Sequence, residues 1–362
     1  MIKPAMQSGL KPNGWNDFTA QQGLAGRPIF ALGFNPHWRK SLHRFLGGSR
    51  ITHVRSASKI PAGAVALVWG QRPVNVTGSD ITLVRLEDGF LRSVGLGAQF
   101  AQPLSWVMDF EYLYFNANGP SRLEQILQHH PFTQAERQRA GSLVETIKCL
   151  GLSKFNTATQ AWVRPARERV ILVPGQVETD ASLAYGAPGI NTNMELLKAV
   201  RQQNPDAWVA YKPHPDVYAG ARKPGEGEQH AQACCDEIIT TASIASVLDQ
   251  VDEVHTLTSL TGFEALLRHK QVTCYGLPFY AGWGLTKDRL ECQRRNRTLS
   301  LEELAYGVLI QYPLYASLMN GGFITPEQAL GELQSLRARK SGVKSGIGKA
   351  ARKAINLIAG AR

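Results

Sequence analysis

None of the five cysteines, Cys149, Cys234, Cys235, Cys274 and Cys292, belongs to a CxxC pair, and their number is odd. That argues against a zinc ribbon and against a closed disulfide framework, and leaves reduced thiols of a cytoplasmic protein as the expectation. No stretch reaches the roughly 18 apolar residues of a membrane span. The opening MIKPAMQSGLKPNGW lacks the apolar run of a secretory signal, so a soluble or peripheral chain is expected. Acidic residues are scarce, 29 against 40 Lys and Arg, for a formal net charge of +11. From Arg337 to Arg362 there is no Asp or Glu beside eight Lys or Arg, so most of the excess is a property of the tail. Those cations have no interleaved aromatics, which disfavours nucleic acid as a partner. Phosphorylated sugars and acidic lipid fit the charge equally well. No cluster with metal-ligand spacing is visible, and neither a metal nor a cofactor is expected.

With 362 residues, 43% of them hydrophobic, the chain exceeds what one core usually organises, and two domains with a cleft between them are expected. Short apolar runs at 28–34 (PIFALGF), 64–70 (AVALVWG) and 81–86 (ITLVRL) end in polar or glycine-bearing turns, as buried parallel strands do. Residues 132–150 carry helical spacing, and a weakly apolar connector follows. A second alternation then runs through 169–174 (RVILVP), a helix at 194–203, a strand at 207–212 (AWVAYK), and further strand and helix segments at 253–257, 262–268 and 272–275. The reading is an α/β protein with two Rossmann-like domains facing each other across a cleft, the GT-B arrangement, with ligands beyond the carboxyl ends of the strands. Its domains are 1–160 on the acceptor side, 161–320 on the donor side, and 321–362 as a closing helix and basic tail. Ser300 with Glu303, and Thr325 with Gln328, have capping-box spacing and start two late helices.

Chemistry concentrates in five segments. PGQVETDAS leaves a strand and projects Gln176, Glu178 and Asp180 toward the strand ends, where a carboxylate can act as nucleophile or base, or Asp180 can simply cap a helix. In YKPHPDV, Lys212 ends a strand and His214 is restrained by proline on both sides, which suits either a phosphate oxygen or a rigid turn. HTLTSLTGFEALL offers Thr258, Ser259 and Thr261 at a helix start, with Glu264 one turn in. Hydroxyls and free N–H groups there bind anions or cap the helix, and Glu264 has reach to a ribose. RLEDGFLRS puts Glu87 and Asp88 after a strand, either as an acid that takes a proton from an incoming hydroxyl or as a common turn. CYGLPFYAGWG gathers Tyr275, Phe279, Tyr280 and Trp283, to stack on a base or to anchor a loop.

Taken in order, PGQVETDASL, AYKPHPDV, DEVHTLTSLTGFEALL and YGLPFYAGWGLT resemble the glycosyltransferase modules of KpsC-type capsule β-Kdo transferases, over roughly residues 28–314. The resemblance implies a retaining transfer from CMP-β-Kdo to a lipid-linked or Kdo-terminated acceptor. Its QxxxD element falls on Gln176 and Asp180, with Asp180 as nucleophile, and its His-Pro element on His214 and Pro215. The layout is also similar to bacterial CMP-sialic acid transferases, whose acidic-acidic-Gly element matches Glu87, Asp88 and Gly89 and whose Ser/Thr element matches Thr258 and Ser259. For the donor, the resemblance thus implies contacts from His214, Thr258 and Ser259, and the reading of the residues themselves adds Lys212, Thr261, Glu264, Tyr275 and Tyr280. Two alternatives stay open: an inverting CMP-sialic acid or other nucleotide-sugar transferase with Asp88 as base, and a catalytically idle scaffold of capsule assembly.

The tail carries its own expectation. Ile347, Ala350, Ala351, Ala354, Ile355 and Ile358 lie broadly on one helical face, with Lys349, Arg352 and Lys353 elsewhere on the cylinder, a modest amphipathic pattern that suits either an anionic inner-membrane surface or a solvated basic tail that only aids solubility. Each basic residue near such a surface contributes about 1 kcal/mol, screened by salt. Deletion of residues 338–362 is expected to abolish co-sedimentation with phosphatidylglycerol vesicles at low salt. Equal sedimentation of full-length and truncated chains excludes the membrane role.

Overall fold

The strands form where apolar runs are long enough to be covered on both faces. The computed structural model describes residues 14–76, 80–95, 101–156 and 160–340. In chain order its strands are β1 (Ile29–Leu32), β2 (Ile51–Val54), β3 (Val65–Trp69), β4 (Thr82–Asp88), β5 (Ser105–Asp109), β6 (Val170–Pro174), β7 (Trp208–Lys212), β8 (Glu237–Ile238), β9 (Glu253–Thr256), β10 (Gln271–Cys274), β11 (Lys287–Asp288) and β12 (Pro313–Tyr315). The helices are α1 (Trp15–Gln21), α2 (Arg39–Phe45), α3 (Arg122–His129), α4 (Gln134–Cys149), α5 (Ala181–Gly186), α6 (Asn193–Gln203), α7 (Pro215–Tyr218), α8 (Ile244–Gln250), α9 (Leu260–Leu266), α10 (Leu301–Ala305) and α11 (Pro326–Lys340). The two anticipated capping boxes form: Ser300 N donates to Glu303 Oε2 at 2.8 Å, and Thr325 N to Gln328 Oε1 at 2.9 Å.

The chain divides into two compact units, one made of the residues up to Leu113 with those from Tyr306, the other of Tyr114–Ala305. This differs from a boundary at 160. Helices α3 and α4 belong with the second unit, because Arg137 pairs with Glu303 at 2.8 Å and both Arg294 and Arg295 pair with Glu124 at 2.8 and 2.9 Å. The chain from Tyr306 returns to the first unit, where β12 pairs with β5 and the Tyr312 hydroxyl donates to Asp109 Oδ2 at 2.8 Å. Partners 166 to 203 residues apart leave no trace in local composition.

In the first unit the sheet order is β12-β5-β4-β3-β1-β2. Strands β2, β1, β3 and β4 are parallel neighbours, but β5 runs antiparallel to both β4 and β12. A purely parallel sheet is therefore not what forms here. After Asp88 the chain folds back on itself, with Gly89 N bonded to Ser105 O at 3.0 Å and Leu104 N to Arg92 O at 2.7 Å. An antiparallel partner needs no crossover helix. Gly89 is required, since a β-carbon there would stand 2.4 Å from Ser105 Oγ. The core beneath this sheet gathers Leu42, Phe45, Leu67, Leu86, Trp106 and Met108, all fully buried.

The second sheet is parallel throughout, in the order β11-β10-β9-β6-β7-β8. Counted from β6 this is the 3-2-1-4-5-6 doubly wound order, whose direction of winding reverses between β6 and β9. Connections leave the carboxyl ends of these two strands in opposite directions, so a crevice opens there. It is the position at which such sheets bind ligands.

One close approach fixes the helix that starts on the β9 side. Tyr280 is fully buried and its hydroxyl donates to Ser259 O at 2.5 Å, while a β-carbon on Gly262 would lie 2.2 Å from that hydroxyl. Gly262→Ala is expected to lower stability by about 1–3 kcal/mol, the range for overpacking, and Tyr280→Phe in the same chain to return part of it. Urea denaturation of the two single variants and the double variant measures this coupling, and additive effects contradict it.

Candidate active site at the winding reversal of the second sheet

Gln176 follows β6 by one glycine and spans the reversal. Its side-chain Oε1 accepts from Thr258 N at 3.0 Å and its Nε2 donates to Thr258 Oγ1 at 3.0 Å. Its main chain is held as tightly, with Gln176 N donating to Asn193 Oδ1 and Asn193 Nδ2 donating to Gln176 O, each at 2.9 Å. Gln176 is 7% exposed, so its amide is a clasp between the β6 and β9 loops. Gly175 makes room for it: a β-carbon there would sit 2.5 Å from the Tyr211 hydroxyl.

The two acids of the same loop part ways. Glu178 accepts from Asn193 N at 2.8 Å and from Glu226 N at 2.9 Å, which makes it a brace between loops. Asp180 is exposed and caps α5, Oδ1 accepting from Ser182 N at 2.8 Å. Its other oxygen has no partner among the described residues. The capping role and an available carboxylate oxygen thus coexist in one side chain.

His214 caps α7, with Nδ1 accepting from Asp216 N at 3.1 Å. An accepting Nδ1 assigns the proton of the neutral ring to Nε2. Burial holds the imidazole below its ordinary pKa; the charges of Asp216 and Asp180 oppose that, and those of Lys154 and Arg222 reinforce it. His214 and Asp180 are therefore within electrostatic reach of each other. Asp216 Oδ1 is buried beside them without a hydrogen-bond partner among the described residues. Lys212, at the end of β7, donates to Ala242 O at 2.8 Å, and burial lowers its pKa to about 8.

On the β9 side, Thr258 is engaged by Gln176, and Ser259 Oγ accepts from Thr261 N at 3.2 Å, so both hydroxyls serve local structure. Thr261 lies half-buried behind them. Glu264 is buried and accepts from Lys154 N at 2.8 Å, which brings the 152–156 loop against α9; burial raises its pKa. Tyr280 holds Ser259 from below rather than lining a surface. Tyr275 is not brought to this group. Its hydroxyl donates to Gln203 at 3.2 Å, and Gln203 lies ten residues along α6 from Asn193. The helical rise makes that about 15 Å.

Sequence reasoning passed over Asn193, Lys154, Asp216 and Arg222. Asn193 follows the capping Thr192, and Asp216 completes PHPD, so local signals existed for these two. Lys154 is placed only by its backbone bond to a residue 110 positions away.

Glu87 and Asp88 end β4 in the first unit. Glu87 Oε1 accepts from Asp88 N at 2.9 Å. Asp88 Oδ2 takes the Nε of Arg92, a cation only 1% exposed, while Asp88 Oδ1 is buried with no hydrogen-bond partner among the described residues. Among the described residues no group of His, Cys, Asp and Glu is arranged to hold a metal ion.

Comparison with known proteins bears on this geometry. The signature of the capsule polysaccharide biosynthesis proteins matches residues 153–324, which contain every second-unit residue discussed here as a site candidate. The lipopolysaccharide-processing protein LpsZ of Rhizobium meliloti is 38% identical over 334 residues, 87% of this chain and 75% of its own length. The chain belongs to the KpsC-type capsule polysaccharide biosynthesis family. The capsule polysaccharide modification protein LipA of Neisseria meningitidis serogroup B is 48% identical over 262 residues, but the matched segment spans only 37% of LipA. Two solved Thermosulfurimonas dismutans KpsC structures are similar. The β-Kdo 2,7 transferase has a TM-score of 0.71 at 38% identity, covering 86% of this chain and 100% of that one. The β-Kdo 2,4 transferase has a TM-score of 0.72 at 28% identity, covering 84% and 98%. The fold is therefore the α/β fold of these transferases.

Three histidines share one electrostatic situation, since burial is the largest influence lowering the pKa of His53, His214 and His255. Each stays neutral in the folded chain at pH values where the unfolded chain, titrating at about 6.5, has begun to bind a proton. The unfolded state then holds more protons, so stability falls as pH falls below about 6.5. Urea midpoints at pH 7.5 and 5.5 are expected to show the loss, and removing it in part by His53→Phe identifies the source. A midpoint that rises on acidification contradicts the assignment.

Proposed function

We propose that this chain is a retaining β-Kdo glycosyltransferase that moves Kdo from CMP-β-Kdo to a lipid-linked or Kdo-terminated surface-polysaccharide acceptor. The observation that carries the reading is the pairing of Asp180, with one carboxylate oxygen unengaged, and a neutral His214 with Nε2 unengaged, in a chain 38% identical to a protein described as a β-Kdo 2,7 transferase.

The donor's ketosidic carbon bears a carboxylate and develops oxocarbenium character as the bond to the CMP phosphate breaks. On this reading Asp180 attacks that carbon from the opposite face, the bond to CMP breaks, and a glycosyl-enzyme ester forms. The acceptor hydroxyl then displaces Asp180, and its proton passes to Asp88, which Glu87 supports through the Asp88 N–H. Two inversions restore the β configuration. The departing phosphate takes a hydrogen bond from His214 Nε2–H, and Lys212 supplies positive charge from the end of β7. Lys154 and Arg222, whose charges act on His214, suit the donor's carboxylate. Gln176 contributes by fixing where Asp180 and Thr258 stand, and Glu264 offers an acceptor for the ribose hydroxyls. Asp88 belongs to the first unit and Asp180 to the second. No described helix is long and apolar enough to cross a membrane. We place the activity at the cytoplasmic face of the inner membrane, held there by the basic tail, whose residues 341–362 lie outside the described residues.

Asn caps helices as well as Asp, so Asp180→Asn is expected to preserve the fold and CMP affinity while abolishing transfer. His214→Ala is expected to weaken CMP binding by about 1.5–3 kcal/mol, the range for hydrogen bonds to charged groups. Transfer assays with in situ generated CMP-Kdo and CMP calorimetry decide both. Near-normal turnover by Asp180→Asn rejects the nucleophile, and an α-configured product rejects retention.

A further inference from the structure

The first unit carries an aromatic group that the proposed chemistry does not use. Phe34 follows β1, Trp38 begins the turn into α2, and Trp69 ends β3, so all three stand at the carboxyl edge of the parallel part of the first sheet. Each is half-buried. The rings of Trp38 and Trp69 are nearly parallel, with centroids 6.5 Å apart and planes 6° apart, and Phe34 meets Trp69 edge-on at 6.5 Å. Below them Trp69 stands on Trp106 at 5.2 Å, and Trp106, fully buried, stacks on Phe45 at 4.5 Å. The upper rings therefore rest on a rigid floor. Neither Trp38 nor Trp69 has a hydrogen-bond partner for its indole N–H among the described residues.

Sheet register ties these rings to the acid pair. In β3 and β4, Trp69 is in register with Leu86. Asp88, two residues on, projects to the same face as Leu86, and in the antiparallel ladder Asp88 lies directly opposite Trp106. The platform and the Asp88 carboxylate thus share one face of one sheet at one edge. In the segments that carry the rings, His37, Arg39 and Arg72 are exposed, which makes this surface polar and basic. Arg72 Nη2 donates to Leu32 O at 2.5 Å, tying the loop after β3 to the end of β1, and Gln102 reaches His37 at 3.3 Å.

We propose that Trp38 and Trp69 form a stacking platform for a pyranose residue of the acceptor glycan, laid with its C–H face on the indoles and its hydroxyls toward Asp88 and the basic surface. The inference rests on the reading of the first unit as the acceptor side. The chemistry favours a sugar with a negative charge. Flat π faces accept the C–H side of a pyranose, the unpaired indole N–H groups meet hydroxyls, and the exposed cations meet a carboxylate. Aromatics serving only the core would be covered as Trp106 is.

The test uses the full chain with Trp38→Leu and Trp69→Leu, and the methyl glycosides of Kdo, N-acetylneuraminic acid and glucose as probes. Glycoside affinity is followed by NMR titration and CMP affinity by calorimetry. Wild type is expected to bind an acidic glycoside more tightly than the glucoside, and each variant to lose about tenfold of that affinity while keeping CMP affinity. Unchanged glycoside affinity in both variants, no glycoside binding by wild type, or a parallel loss of CMP affinity overturns the platform. Failure of the transferase reading looks different: wild type then makes no product from CMP-Kdo while the tryptophan-dependent glycoside binding persists.

Discussion

The Gln176 amide and its two bonds to Thr258 are the interaction on which the geometry of the second unit's candidate site depends. A winding reversal necessarily leaves two adjacent strands whose outgoing loops diverge, and diverging loops hold no fixed distance unless something crosses between them. Gln176 crosses, and Asn193 locks its main chain, so the first turn of α6 and the ends of β6 and β9 become one rigid body. Each bond contributes only about 1 kcal/mol net. Their weight lies elsewhere: every atom in the clasp is buried, and removing one partner strands another without water. Asp180, four residues on, inherits its position from this arrangement, as does the α9 start through Thr258.

A second consequence concerns proton inventory. His214 spends Nδ1 on the α7 cap, so protonating it there means losing the cap, and burial already disfavours the cation. The neutral ring therefore carries its proton on Nε2. In the proposed transfer, such a donor stabilises developing phosphate charge without neutralising Asp180, whose charge acts on it. An imidazolium would pair with that carboxylate and blunt it in the nucleophilic role proposed for it.

Most of the second unit was legible, because its strands are continuous apolar runs and its turns carry proline or glycine at fixed offsets. The first unit was legible only as far as β4. Nothing between Asp88 and Ser105 announces an antiparallel return, and β12 joins the sheet from some 200 residues away. At the site, the motif residues stand out in the sequence, but the hydrogen bonds that several of them make do not. Gln176, Glu178, Thr258 and Tyr280 look like chemistry in a sequence and turn out to hold the loops, since which oxygen a side chain spends on its neighbours depends on the fold. Lys154 was missed for the same reason in reverse. Only its backbone bond to Glu264 places it.

The distribution of ion pairs separates structural cations from available ones. Arg92, Arg137, Arg164, Arg169, Arg201, Arg268, Arg294 and Arg295 each meet a carboxylate. Lys154, Lys212 and Arg222 meet none among the described residues. A paired arginine contributes little field beyond its partner, whereas Lys154 in the 152–156 loop and Arg222 beyond α7 both act on His214 in the same direction, with Lys212 at the end of β7. The large formal charge of the chain is thus beside the point at this site. What favours an anion there is the presence of cations outside ion pairs, while Asp180 and Asp216 are the carboxylates whose charges oppose the lowering of the His214 pKa by burial.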